Sequence, residues 1–476
     1  MKRQFATGVA WTAAATWVEQ ATSVIAFILI ARLIGAEAFG YASMAFAIVL
    51  LGEFLVRDSL TEGIVERKEL TQGQLVATFV VVGGVALSLL LLLCVLARPI
   101  AALYGEARVA GFIMAASPTV LLIGLASVST ALMRRAMRYR VLSLRSTCAS
   151  IIGALIGIGM ALQGFGTWSL IGQRLTQVAV NSIFAVIAAG WVPRALPQRS
   201  DFELVRGLGF DVFLIRAFSS VIAQSPTVIL GIMGTPAATG LFAFAMRLVD
   251  LVQSLIVTPI KAVSQTATAE LRRHAGDTSQ FFLDLTEVSA LISFSTFVGL
   301  ALVASPAIAV LVGPEWSEAA AIIPFLCIAG CGNAVAAVQE SYLLAMNRPK
   351  GLLKASIFEA LTGIAAMTTA ATFGPVAAGA AVAVRVVLSM PVRAATALAP
   401  EAIRWARFLS SLAAPLLSAM CMAAVLWLWG AEMEPLLEDM SLLAGAILVG
   451  LASFGLIVFG AMPGLRQRLL SFLLKT

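Results

Sequence analysis

Histidine is almost missing from this chain, with His274 the only one in 476 residues. A lone imidazole in a loop excludes a histidine-built metal centre, so any proton relay has to run through carboxylates. Cysteine is nearly as scarce. Cys94, Cys327, Cys331 and Cys421 lie inside apolar segments and Cys148 at the edge of one, where they read as small packing residues. Cys327 and Cys331 share a helix face, but no third ligand type accompanies them, which argues against a metal site. Charge is short too: Asp, Glu, Lys and Arg make up 12% of the chain, against about 25% in soluble domains. No loop is long enough to hold a soluble domain, and none carries an acidic pair of the DxD type.

What remains is apolar. Hydrophobic residues are 60% of the sequence and mean hydropathy is +0.97, which excludes a soluble globular domain of this length. A spanning helix needs about 20 apolar residues, and the chain divides into fourteen such segments, from 9–34 and 41–64 through 208–233 and 241–265 to 409–430 and 441–463. Lys2 and Arg3 precede an apolar stretch, but Glu19 and Gln20 interrupt it and no small-residue cleavage site follows, so it reads as an uncleaved first span. The net charge of +7 is spread over loops rather than gathered into a patch, so it reflects topology and not nucleic-acid binding. Lys2, Arg3, Arg67, Lys68, the run Arg134, Arg135, Arg138 and Arg140, then Arg272, Arg273, Arg348, Arg404 and Arg407 all fall on one side of the fourteen-span arrangement. The opposite loops hold Arg98 and Arg108 alone. By the positive-inside rule both termini are expected in the cytoplasm.

The chain also repeats itself at an offset of about 200 to 209 residues. Gly35 to Gly40 lies over Gly234 to Gly240, the run ending at Gly105 over the run ending at Gly313, Ala136 over Ala345, and Phe165-Gly166 over Phe373-Gly374. Each copy covers six spans, so the copies are parallel and a substrate site is expected at their interface. The expected architecture is all-α and membrane-integral. It has two MATE-like six-helix lobes, residues 1–200 and 201–400, and an appended pair of helices with a tail, 401–476.

Polar residues in spans are costly and mark function by default. Span eight carries Arg247, Asp250, Ser254, Thr258 and Lys261 as one helical stripe. Span one carries Thr12, Thr16, Glu19, Gln20 and Ser23; span two carries Glu53, Arg57 and Thr61; span seven carries Arg216, Ser220, Gln224 and Thr227. Weaker polar faces on spans six and twelve hold Arg174 and Arg385, whereas spans three, five, nine, thirteen and fourteen read as nearly dry. Arg32 and Arg393 sit close enough to helix ends to snorkel. Glu53 with Arg57, and Arg247 with Asp250, are spaced to neutralise each other as structural ion pairs. Collectively, Arg57, Arg216, Arg247 and Lys261, with Arg174, Arg385 and Gln224 beside them, are expected to hold a diphosphate and its sugar. Glu19, Glu53 and Asp250 are the candidates for coupling to a proton or sodium gradient; no resident cofactor or metal is expected.

The Ile-Gly-Ala-Glu-Ala-Phe-Gly-Tyr junction at 34–41, Phe-Gly-Thr-Trp at 165–168 and Ala-Met-Arg-Leu-Val-Asp at 245–250 resemble the polysaccharide-export branch of the multidrug/oligosaccharidyl-lipid/polysaccharide (MOP) exporters. Within it the likeness is to Wzx-type flippases and the succinoglycan and colanic-acid exporters, and it covers roughly residues 5–400. The resemblance implies movement of undecaprenyl-diphosphate-linked oligosaccharide across the membrane by alternating access, without catalysis. The product would be exopolysaccharide, capsule or O-antigen (lipopolysaccharide). A polysaccharide polymerase and chain-length regulator would be the partners, and the cationic cavity residues map onto Arg57, Arg216 and Arg247. The appended pair is similar to the groove-forming helices of the lipid II flippase. A cation-coupled multidrug antiporter of the same superfamily is the alternative; a polymerase or ligase fits the short outer loops less well, and a scaffold would have no reason to carry charges on four symmetric spans.

Overall fold

A computed structural model describes residues 2–57, 61–67, 69–202, 220–274, 277–346, 348–433 and 439–456. The described residues are helical throughout apart from short turns and connections. They form α1 (Lys2–Val56), α2 (Glu62–Glu66), α3 (Gln72–Leu103), α4 (Arg108–Ala116), α5 (Pro118–Arg135), α6 (Tyr139–Leu162), α7 (Thr167–Ala189) and α8 (Ser220–Met233). After these come α9 (Pro236–Arg273), α10 (Thr278–Leu311), α11 (Ser317–Ala345), α12 (Pro349–Ala370), α13 (Pro375–Leu398), α14 (Trp405–Met433) and α15 (Asp439–Leu456). Among the described residues, eleven helical stretches are long and apolar enough to cross a membrane, and Ser220–Met233 and Met440–Leu456 are shorter apolar helices. This is an all-α, multi-pass membrane protein.

The first two expected spans run together as α1 and part at Gly35, whose φ of 75° and ψ of 171° break the helix. A side chain is strained there and glycine is not. The second span also ends sooner than expected: the helix stops at Val56, and residues 62–66 form the separate helix α2.

The chain packs as two compact units, residues 1–240 and 241–476. In the first, α1 lies against α6 and α4, α6 against α7, and α5 against α3 and α7. Its core joins Met44, Val49 and Val56 of α1 to Val82 and Ala86 of α3, Ile113 of α4 and Val120 of α5. In the second, α10 lies against α11, α14 and α15, while α13 lies against α11 and α12. Its core gathers Phe282, Leu285, Val335, Tyr342, Ala397 and Phe408.

The internal repeat is visible in the backbone. Gly105 and Gly313 follow the ends of α3 and α10 with φ of 69° and 109°, and Gly166 and Gly374 precede α7 and α13 with φ of 54° and 97°. Pro99 lies inside α3 where Pro306 lies inside α10. Span nine is wetter than the sequence suggests, because α10 buries Thr286, Glu287, Ser289, Ser293 and Ser295. Scattered hydroxyls hardly lower the hydropathy of a segment rich in Leu, Val and Phe, so the polar face escapes notice.

Without a hydrophobic force between helices in lipid, close packing depends on small residues. A Cβ on Gly124 of α5 would lie 2.5 Å from the Cβ of Ala86 and 3.2 Å from Val56 Cγ1, whereas one on Gly84 of α3 would meet nothing within 4 Å. Gly124→Val is therefore expected to cost about 1–3 kcal/mol by overpacking and to lower the thermal midpoint of the detergent-solubilised protein, with Gly84→Val leaving it unchanged. Equal midpoints for the two variants would contradict this packing.

Candidate functional site

The charged side chains of the spans are organised around carboxylates. In the first unit Glu53 is buried near the end of α1. Arg174, reaching over from α7, binds it through Nη2 to Oε2 and, at 3.4 Å, through Nε to Oε1. Arg57, one turn beyond Glu53, places Nη2 3.7 Å from Oε2. The two arginines are held differently. Arg174 grips Glu53 as a fork and is 26% exposed, while Arg57 touches it once, at longer range, and is 49% exposed. A carboxylate in a span needs a counter-charge, and Arg174 supplies it.

Glu19, the other acidic candidate of this unit, accepts a hydrogen bond from Ser146 Oγ of α6 at 2.7 Å. On α8, Gln224 and Thr227 are half-buried and Ser220 is buried. The Ser220 hydroxyl finds no hydrogen-bond partner among the described residues. Arg216 lies outside the described residues.

In the second unit α9 carries its polar stripe on its accessible side. Arg247, Asp250 and Thr258 are exposed, whereas Phe242, Phe244, Val249, Leu251 and Val257 are buried. Lys261, at the far end of the stripe, donates to Glu340 Oε1 of α11 at 2.7 Å. Its backbone carbonyl accepts from Ser341 Oγ at 3.2 Å.

A second arginine–carboxylate cluster joins α12 and α13. Glu359 is buried and lies between Arg385, at 3.6 Å, and Arg393, which binds it through Nη2 and, at 3.0 Å, through Nε. Gly363, one turn along α12, leaves room for Arg385; a Cβ there would come within 2.4 Å of Arg385 Cδ. Arg393 thus turns inward to a carboxylate, correcting the expectation that it snorkels from a helix end. The desolvated Glu359 is the physical reason: it offers a stronger interaction than the distant interface does.

The structure therefore brings Arg57, Arg174 and Glu53 together in one unit, and Arg385 with Arg393 and Glu359 in the other. Lys261 pairs with Glu340. Sequence reasoning missed Glu340 and Glu359, each a single acid without a polar stripe on its own helix. An intramembrane acid with no partner at helical spacing was the available signal for both. The repeat is broken at this point: Gln253 stands on α9 about 200 residues after Glu53, and Arg385 takes its carboxylate from α12 instead.

Residues 29–321 match the family described as "Polysaccharide biosynthesis protein". The chain belongs to that family. Among curated relatives, this polysaccharide biosynthesis protein is 25% identical over 305 residues to the succinoglycan biosynthesis transport protein ExoT of Rhizobium meliloti (strain 1021), covering 63% of this chain. The match spans 61% of that relative's own length. It is 22% identical over 382 residues to the lipopolysaccharide biosynthesis protein WzxC of Escherichia coli (strain K12), covering 77% of this chain and 75% of the relative. Its fold is similar to that of the lipid II flippase MurJ in an inward closed conformation, with a TM-score of 0.78, 14% identity, and coverage of 93% and 96%. It is also similar to an inward-facing multidrug resistance MATE family transporter of the MOP superfamily, with a TM-score of 0.62, 14% identity, and coverage of 82% and 93%. The chain thus shares its fold with these two proteins.

Removing one partner of a buried pair leaves the other charge uncompensated, at on the order of 3 kcal/mol. Glu53→Gln is expected to lower the thermal midpoint markedly, and the double variant Glu53→Gln with Arg174→Gln to recover much of the loss. Additive losses in that cycle would show that the two side chains do not depend on each other.

Proposed function

We propose that this protein flips undecaprenyl-diphosphate-linked oligosaccharide units across the bacterial inner membrane for surface polysaccharide export. It would do so as a transporter and not as an enzyme, through fourteen spans with both termini in the cytoplasm. Membership of the polysaccharide biosynthesis family supports this reading, as do the names of its succinoglycan and lipopolysaccharide relatives and a fold shared with a lipid II flippase. The observation that carries it to the residues is the half-exposed Arg57 beside a buried carboxylate that Arg174 holds in a fork.

In this account Arg57 and the exposed Arg247 contact the diphosphate, with Arg216 as a third guanidinium, because arginine forks match phosphate oxygens. Arg174 and Arg385 act through the carboxylates they bind, Glu53 and Glu359, by fixing the helices that present the ligand-facing groups. Lys261, paired with Glu340, and Gln224 border the sugar. Asp250 and Glu19 take the coupling proton or sodium ion. A polymerase and a chain-length regulator receive the flipped units on the far side.

In a strain lacking its own flippase, Arg57→Ala and Arg247→Ala are each expected to lower surface polysaccharide at least about tenfold, the equivalent of one lost charge-assisted contact. Membrane levels of the protein should stay normal, and Arg98→Ala, at an exposed position near the end of α3 and not in the loop expected from the sequence, should remain near wild type. Wild-type polymer output from both cavity variants would overturn the residue assignment. A change in drug tolerance with no change in polymer would instead favour the multidrug antiporter.

A further inference from the structure

A polar cavity of about 260 Å³ opens between α10 and α14, lined by Gln280, Leu283, Glu287, Arg407, Ser410 and Ser411. None of these residues belongs to the diphosphate set. Its volume falls below the ~300 Å³ at which pockets for drug-sized ligands begin, and at about 30 Å³ per water it would take roughly eight waters. Arg407 donates through Nη2 to Gln280 Oε1 at 2.7 Å, and Gln280 Nε2 donates to Asp284 Oδ1 at 2.8 Å. The cavity therefore holds one exposed guanidinium, one buried carboxylate in Glu287, a second carboxylate at its edge in Asp284, and two hydroxyls.

Trp405 is 45% exposed and packs edge-on to Phe408 at the start of α14, the kind of aromatic that sits at the membrane–water boundary. Ser411 is six residues further on, about 9 Å along the helix axis. Further along α14 than the cavity the surface is apolar, with Leu416, Leu417 and Met420 all more than half exposed. Leu417 lies seven residues from Ser410, on the same helix face. A soluble anion would use the cavity and leave this face bare, whereas a phospholipid would use both.

We propose that this cavity binds the headgroup of an amine-bearing phospholipid, its phosphate on Arg407, its ammonium on Glu287, and an acyl chain along α14. The pairing of one cation with acidic side chains selects a zwitterionic headgroup over an anionic one. The test uses the purified full-length protein and native mass spectrometry, with phosphatidylethanolamine, phosphatidylglycerol and free phosphoethanolamine as probes. Wild-type protein should retain phosphatidylethanolamine in preference to phosphatidylglycerol and should not retain free phosphoethanolamine. Arg407→Ala should weaken retention of both lipids about tenfold, and Glu287→Gln should abolish the preference between them. Should Glu287→Gln fail to fold, Ser410→Leu, an exposed substitution at the cavity mouth, should reduce retention in its place. Unchanged lipid binding in Arg407→Ala and Ser410→Leu, or equal retention of free phosphoethanolamine, would overturn the proposal.

Discussion

A charge in a membrane-spanning segment has to be matched before anything else can be built on it. Here the match takes one form twice: a buried glutamate held by two arginines, Glu53 by Arg174 and Arg57, and Glu359 by Arg393 and Arg385. The carboxylate brings the guanidinium groups into hydrocarbon, and the tightly bound arginine of each pair ties together the helices that meet there.

The helices that carry these charges are set by simpler means. Positive-φ glycines at 105 and 313, and at 166 and 374, end and begin equivalent helices in the two halves of the chain. Glycines without side-chain bulk let α5 approach α3 and let Arg385 pass α12. Local backbone chemistry thereby fixes where a span ends, and span ends fix the depth at which each charge sits.

Helical membrane architecture and the repeat were legible because they rest on long apolar runs and on glycine and proline landmarks, which a sequence states outright. The polar stripe of α9 was legible for the same reason: Arg247, Asp250, Ser254, Thr258 and Lys261 share a period, and the first two lie on the accessible face. The partners of the charges were not legible. Glu340 and Glu359 meet their cations from other helices, across 79 and 34 residues for Lys261 and Arg393, and no periodicity encodes such a contact. The broken symmetry around Arg174 and Arg385 was hidden likewise, since it depends on which neighbouring helix supplies the acid. The buried serines, Thr286 and Glu287 of α10 escaped because hydropathy averages over a window and dilutes a narrow polar face.

The account depends on transport of a diphosphate-bearing lipid, and reconstitution tests that most directly. Purified protein in liposomes, loaded with a fluorescent undecaprenyl-diphosphate oligosaccharide in one leaflet, should render that lipid accessible to a membrane-impermeant glycosidase on the other side. Excess inorganic diphosphate should slow the appearance of the accessible fraction, and inorganic sulfate should have far less effect. Protein-containing liposomes that expose the lipid no faster than empty ones, across both proton and sodium gradients, would contradict the central claim.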